Sequence, residues 1–316
     1  MNLKKSEKCL VDTESEQYDR QIRLWGIESQ KKIQNSRILF SNFSGPNIET
    51  AKNLILAGIS CTIQDNNDVS IVDYGTNFFL EENSIGQNRA ISSLKAAQML
   101  NNLVEVKAET KCLDELPDTF FLGFTCICLY KASFKQLSRI DNYCRSNGAF
   151  LFSVDTCGQF GYIFMDLGEK FVYRTEKGPE KVLSNTCELN YPSFLDSYNT
   201  PWILLSNKWG LVSKLYTYFQ MILKCQENFG YRPNKKQLGI FKAMVDKLRI
   251  KNKMPENYLS SEEIDYIGSK ANDELNHISA IMGGILGQEV IKAISGKGFP
   301  TYNIFLYDGT KYEGKI

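Results

Sequence analysis

Two arginines three residues apart, Arg20 and Arg23, stand in the stretch Tyr18-Asp19-Arg20-Gln21-Ile22-Arg23-Leu24-Trp25-Gly26. On a helix that spacing sets both guanidinium groups on one face, one turn apart. A guanidinium stays charged and offers a planar fork of donors, so the pair suits a phosphate. The same spacing also fits a solvated amphipathic helix whose Ile22, Leu24 and Trp25 pack on the domain. Further along, an apolar run leads into Asn42-Phe43-Ser44-Gly45-Pro46-Asn47, and a second run ends in Asp65. A glycine-bearing turn and an acid closing the next strand are the phosphate and ribose contacts of a mononucleotide site. Of the glycines such a turn needs, only Gly45 is present; side chains at 42, 44 and 47 crowd the approach, and Pro46 removes a backbone donor. Phosphate binding at this turn is therefore not expected.

Other chemistries are poorly served. The nine cysteines include no C-x-x-C pair, so neither a zinc site nor a dithiol motif is expected. One histidine, His277, leaves no paired-histidine metal site and no Ser–His–Asp triad, and its place at the opening of a helix suits capping or packing. A formal net charge of +1 supplies no electrostatic pull toward nucleic acid or an anionic membrane. No uninterrupted apolar run is long enough to span a bilayer, and residues 1–17 are too polar and acidic for a signal peptide. The expectation is an intracellular protein with reduced thiols.

The elements that must position these residues follow from periodicity. Residues 1–15 are polar and expected to be mobile, and a helix is expected from about Glu16 to Asn35. Arg37–Phe43 reads as a strand, Pro46 opens a helix continued by Ile48, Ala51, Leu54 and Ile55 and closed by Gly58, and Ile59–Asp65 is a second strand. This strand–turn–helix–strand–acid unit is the first half of a doubly wound α/β fold with a mostly parallel sheet. A loop over 66–83, a helix over Gly86–Asn101 and strands at Val104–Ala108, Thr125–Tyr130 and Ala149–Val154 continue the alternation, with a helix over Ser133–Ser146. Thr125–Tyr130 is apolar throughout, the mark of a strand covered on both faces, with Cys126 and Cys128 on one of them. Thr156–Leu167 reads as a turn into an antiparallel edge strand. Residues 169–276 change character, with more Lys, Glu and Asn and punctuation by Pro179, Pro192, Pro201, Pro233 and Pro255, and read as an inserted, mainly helical region with its own small core. The nucleotide-type domain is thus 1–168 with 277–316. In its last helix Gly283, Gly284 and Gly287 each cost about 1 kcal/mol against alanine, which makes sense where another backbone packs closely.

The segments Tyr18–Gly26, Ala51–Gly58, Ser84–Ala90 and Gly283–Ala293 together resemble the family of heterodimeric activating enzymes for ubiquitin-like modifiers. The likeness is to the regulatory subunits of the SUMO pathway, which share the adenylation fold of the bacterial molybdopterin and thiamine adenylyltransferases. The resemblance covers about two-thirds of the chain in order; 169–276 carries no matching motif. It implies a heterodimer in which a catalytic subunit binds ATP and magnesium, adenylates the modifier's C-terminal glycine and carries the transfer cysteine. It implies that Arg20 reaches across the interface to the partner's triphosphate, with Arg23 in support. Arginines supplied in trans are worth roughly 10³–10⁵ in rate in GTPases.

Departures from the catalytic pattern are as informative. Where catalytic modules have G-x-G-G-x-G, this chain keeps Gly45; where they have a magnesium-positioning aspartate, it has Lys131; and Arg89 replaces a nucleotide-contacting lysine. Gly45, Asp65 and Arg89 are therefore read as vestigial, and no cofactor or metal is expected in this subunit's own pocket. Cys187 and Cys225 lie where a transfer cysteine belongs, but Cys225 sits in a helical run and Glu188 disfavours a thiolate at Cys187. The expected partners are the catalytic subunit and, through it, a SUMO-like modifier, with no nucleic acid or membrane. A location in nucleus and cytoplasm is only what the resemblance implies. Alternatives are the regulatory subunit of another modifier's enzyme, a self-sufficient homodimeric adenylyltransferase, and an NAD(P) oxidoreductase. The last two need the phosphate turn that is damaged here.

Overall fold

The computed structural model describes residues 16–177, 182–183, 185–206 and 210–315. The segment 1–15, expected to be mobile, and Pro179 lie outside the described residues. The strands are β1 Arg37–Ser41, β2 Ser60–Gln64, β3 Val106–Glu109, β4 Cys126–Tyr130, β5 Phe150–Cys157, β6 Phe160–Asp166, β7 Phe171–Tyr173, β8 Glu176–Lys177, β9 Val182–Leu183, β10 Cys187–Leu189, β11 Ile304–Asp308 and β12 Glu313–Lys315. Eight form one sheet in the order β12-β11-β6-β5-β4-β1-β2-β3, while β7 pairs with β10 and β8 with β9. β1 to β5 run parallel, and β6, β11 and β12 extend the sheet antiparallel. This is the expected doubly wound α/β architecture. The edge position expected for Thr156–Leu167 does not hold, because β11 pairs along the outer side of β6.

The apolar run of β4 is buried at all five positions. Ile127 and Leu129 face one core, and Cys126 and Cys128 face the other, as the alternation required. On the cysteine side lie the helices Ile27–Gln34, Pro46–Leu56, Arg89–Met99 and Asn276–Ser295. On the other side Phe219, Phe241 and Ile267, from helices of the expected insert, join Leu39, Ile127, Leu129 and Phe164 in one cluster. The separate small core expected for that region is therefore not found. A sheet apolar on both faces must be covered on both, and these helices supply the second cover.

Local chemistry shaped three further departures. The single helix expected over 16–35 breaks at Gly26, whose φ of 86° and ψ of 159° separate Asp19–Trp25 from Ile27–Gln34. The expected loop 66–83 contains a helix, Ile71–Thr76, opened by a reciprocal capping box between Ser70 and Asp73. Of the three glycines in Asn276–Ser295, only Gly283 has a close neighbour backbone. A Cβ there would stand 2.5 Å from Glu49 Cβ and 2.7 Å from the Pro46 carbonyl; at Gly287 it would meet Asn53 at an ordinary 3.7 Å, and at Gly284 nothing. This helix alone among the described residues is long and apolar enough to cross a bilayer by length and composition, but 61% of that stretch is buried within the fold.

Candidate functional site

The nucleotide-type crevice lies where β1 and β4 end, the point at which strand order reverses. Asn42, just past β1, and Lys131, just past β4, both adopt left-handed backbone, with φ of 60° and 50°. Such angles are uncommon away from glycine. The Asn42 amide donates to the Tyr130 carbonyl at 3.0 Å and ties the two loops together. Asn47 does not crowd the opening as expected: fully buried, it turns under the loop and donates to the carbonyls of Ser41 (2.9 Å) and Asn42 (3.2 Å).

Tyr130 and Glu274 fill the space instead. A Cβ on Gly45 would come within 2.9 Å of the Tyr130 ring and hydroxyl and 3.0 Å of the Glu274 carboxyl carbon. The Tyr130 hydroxyl donates to Glu274 Oε2 at 2.9 Å and meets the Thr156 hydroxyl at 2.8 Å. Ser44 Oγ donates to the same carboxylate, 3.0 and 3.1 Å from its two oxygens. Burial pushes the Tyr130 phenol well above its ordinary pKa, and the Glu274 charge adds to the effect, so the hydroxyl stays a donor. Lys131, just past β4, donates to the Asn272 carbonyl at 3.2 Å. Burial lowers its pKa and the Arg232 charge adds to that, against the pull of Asp155 and Glu274. What remains open beside Asp65, Asn42 and Lys131 is a cavity of about 150 Å³, smaller than the ~300–1,000 Å³ of ordinary ligand pockets. The residues present do not fit a nucleoside triphosphate.

Asp65 is 1% exposed and its carboxylate is fully engaged. Oδ2 accepts from the Phe43 N–H (2.7 Å) and Arg89 Nε (2.8 Å); Oδ1 accepts from the N–H and side-chain amide of Asn67, both at 3.0 Å. Arg89 spends its other nitrogens on Asp73 (Nη1–Oδ1, 2.6 Å) and Asn42 (Nη2–Oδ1, 2.9 Å). Burial alone would lower the Arg89 pKa, but the charges of Asp65 and Asp73 raise it above its ordinary value. The acid that would meet a ribose is thus bound to its own chain.

Arg20 and Arg23 are placed at the opposite end of this architecture. The helix that carries them is preceded by Tyr18, which is buried against Gly58 and accepts from Asn101 Nδ2 at 2.8 Å. The Gln21 side chain reaches the Leu56 carbonyl at 3.4 Å, and Lys297 Nζ donates to the Trp25 carbonyl at 2.6 Å. These anchors lie past the C-terminal end of Pro46–Leu56, whose 11 residues set them about 16 Å from the turn at its other end. Arg23 pairs with Asp19 one turn back, at 2.9 Å, in full view of solvent. Arg20 is exposed and has no hydrogen-bond or ion-pair partner among the described residues. The amphipathic alternative fails in part: Trp25 is half-buried against the core, but Leu24 is 60% exposed and no residue of the helix is buried.

The remaining nucleophile candidates are weak. Cys225 is buried, which pushes its thiol up to about 11, and Cys187 is half-buried with its thiol donating to the Asn185 carbonyl. His277 is exposed at the start of the last helix. Among the described residues no three His, Cys, Asp or Glu side chains come together as a metal site. Sequence reasoning missed Tyr130, Glu274 and Asp73. Tyr130 ends an apolar strand and reads as core; Glu274 is 230 residues from Ser44, and no local pattern links them. A Ser-x-x-Asp spacing at 70–73 was the available signal for Asp73.

Residues 18–315 match the ThiF family. The chain is similar to SUMO-activating enzyme subunit 1 of Danio rerio, with 33% identity over 99% of this chain and 97% of that protein. It is equally similar to the Homo sapiens protein of the same name, with 33% identity over 97% of this chain and 95% of the relative. The crystal structure of selenomethionine PaaA superposes with a TM-score of 0.61 over 96% of this chain and 82% of the other, at 13% identity, a likeness of fold alone.

Proposed function

Because the chain belongs to the ThiF family, with SUMO-activating enzyme subunit 1 among its end-to-end relatives, we propose that it is the non-catalytic subunit of a SUMO-activating enzyme. One observation carries this reading: the mononucleotide crevice is filled at its turn by the chain's own Tyr130 and Glu274, with Asp65 held by Arg89. An architecture kept while its pocket is filled serves as a scaffold. ATP and magnesium bind in the catalytic subunit, and the modifier is engaged through the complex. Arg20, exposed and without a hydrogen-bond or ion-pair partner among the described residues, belongs to a helix anchored at the end of Pro46–Leu56 away from the turn, a helix about 16 Å long, and is available to a neighbour. The exposed apolar side chains around its helix, Leu24, Ile27, Leu56 and Met99, suit an obligate partner.

Attack of the modifier's carboxylate on an α-phosphate builds negative charge on the departing pyrophosphate. A fixed guanidinium from this subunit stabilises that charge, and Arg23 supports its position. A homodimeric adenylyltransferase is disfavoured by the filled turn, and a subunit for another modifier by the full-length likeness to the SUMO proteins. Residence in nucleus and cytoplasm follows only if this reading holds. The test is ATP–pyrophosphate exchange. The chain alone is expected to be inactive, and with its catalytic partner Arg20→Ala slows exchange about 30-fold or more while the complex stays assembled. An active lone chain rejects the scaffold reading; an Arg20→Ala complex at full rate rejects the finger.

A further inference from the structure

No residue of the seven-residue helix Asp19–Trp25, which carries Arg20, is buried. It is shorter than the roughly 12 residues a lone helix needs, so contacts at its ends must set its direction. Its last carbonyl, that of Trp25, accepts from Lys297 Nζ at 2.6 Å, across 272 residues of sequence. We propose that Lys297 is a positioning residue for Arg20, fixing the far end of this helix so that the guanidinium meets a partner's triphosphate already oriented. The ammonium lies against Gly26, where a Cβ would stand 3.4 Å from Nζ and where the chain leaves the helix. A cation there satisfies an orphan carbonyl and faces the negative end of the helix dipole. The turn that delivers it is held in one shape. Gly296 and Gly298 flank the lysine with φ of 68° and 86°. The Gly296 carbonyl accepts from the Arg174 N–H (2.9 Å), the Gly298 N–H donates to the Arg174 carbonyl (2.8 Å), and the Lys297 N–H donates to Ser295 Oγ (3.2 Å). At the near end, Tyr18 is buried and bonded to Asn101, whereas the Gln21 bond to Leu56 is long at 3.4 Å. Without Lys297 the helix keeps its hinge at Tyr18, and its far end is left to the Trp25 indole on Gln30 (2.9 Å). A 1 Å misplacement of a group set for chemistry can cost about 100-fold in rate.

Lys297 acts on the reaction only if Arg20 does, as proposed above, and two measurements separate the claims. Backbone hydrogen exchange on the full chain alone needs neither the catalytic subunit nor the modifier. In Lys297→Met, which keeps an unbranched side chain and loses the donors, the amides of 22–26 exchange about 10-fold faster or more while those of β4 keep their rates. Lys297→Arg, whose guanidinium reaches the same carbonyl, restores slow exchange. In the assembled complex, Lys297→Met lowers kcat for ATP–pyrophosphate exchange about 10-fold and leaves the KM for ATP within about twofold, and Lys297→Arg recovers most of the rate. In the Arg20→Ala background Lys297→Met has no further effect, because the group it positions is gone. Unchanged amide exchange at 22–26 removes the pin, even where Arg20→Ala is slow. Faster amide exchange with a full kcat, or a loss of rate that persists in the Arg20→Ala background, overturns the positioning role. Arg20→Ala at full rate condemns the finger and the positioning role together, and faster amide exchange at 22–26 then marks Lys297 as a structural cap alone.

Discussion

Replacing Arg89 by methionine separates a structural carboxylate network from a nucleotide site. The change keeps an unbranched side chain of similar reach but deletes the bonds to Asp65 (2.8 Å), Asp73 (2.6 Å) and Asn42 (2.9 Å). Arg89 and Asp65 side chains are 9% and 0% exposed, so water does not replace the lost partner. Two charge-assisted bonds and one to an amide are worth gross ~1.5–3 kcal/mol each at most, and removal of the guanidinium desolvation cost offsets part of that. The expected net loss is that of breaking a buried ion pair, about 3–5 kcal/mol. Asp65 keeps its three bonds from Phe43 and Asn67, which argues for the lower end. The assay is urea unfolding, where the midpoint falls while the slope stays constant. Arg23→Ala is the control, since its pair with Asp19 is exposed and worth under about 1 kcal/mol. In an assembled complex below the variant's unfolding range, Arg89→Met leaves adenylation unchanged. Stability lost by less than about 1 kcal/mol, or a rate lost with stability intact, refutes the structural assignment.

Two further outcomes are expected. Gly283→Ala forces a Cβ into Glu49 and the Pro46 carbonyl and destabilises by about 1–3 kcal/mol or more, whereas Gly284→Ala, facing open space within the same helix, stabilises by up to about 1 kcal/mol; denaturant titration of the two variants checks the contrast, and equal effects would remove the close-packing argument. Asp141, buried, with Oδ2 accepting from the Phe194 N–H at 2.8 Å, has its carboxyl pushed up to about 7 by burial, with the neighbouring Asp166 adding to the rise through a side-chain hydrogen bond and its charge, against that N–H bond. A raised acid binds its proton more tightly folded than unfolded, so stability falls as pH climbs from about 4 to about 7 and then levels off. Asp141→Asn flattens that slope by an amount on the order of a few kcal/mol, read from melting at a series of pH values; a wild-type slope kept in the variant assigns it to another group.

The alternation of the sheet, the helix opened by Pro46, the acid at Asp65 and the two-faced burial of β4 were legible in the residues alone. Each depends on periodicity or on turn chemistry within a few positions, and the local backbone supplies both. The Arg20–Arg23 pair was legible as a motif for the same reason, and so was the poverty of glycine at residues 42–47. Tertiary structure decided where those motifs face. It set Arg20 at the far end of Pro46–Leu56 from the crevice, covered the second face of the sheet with the helices of 194–270, and singled out Gly283 from Gly284. It also decided what closes the pocket, since Ser44 and Glu274 become neighbours only when the last helix docks on the helix after β1. Side chains 230 residues apart carry no shared period, and their meeting is a consequence of how whole elements pack.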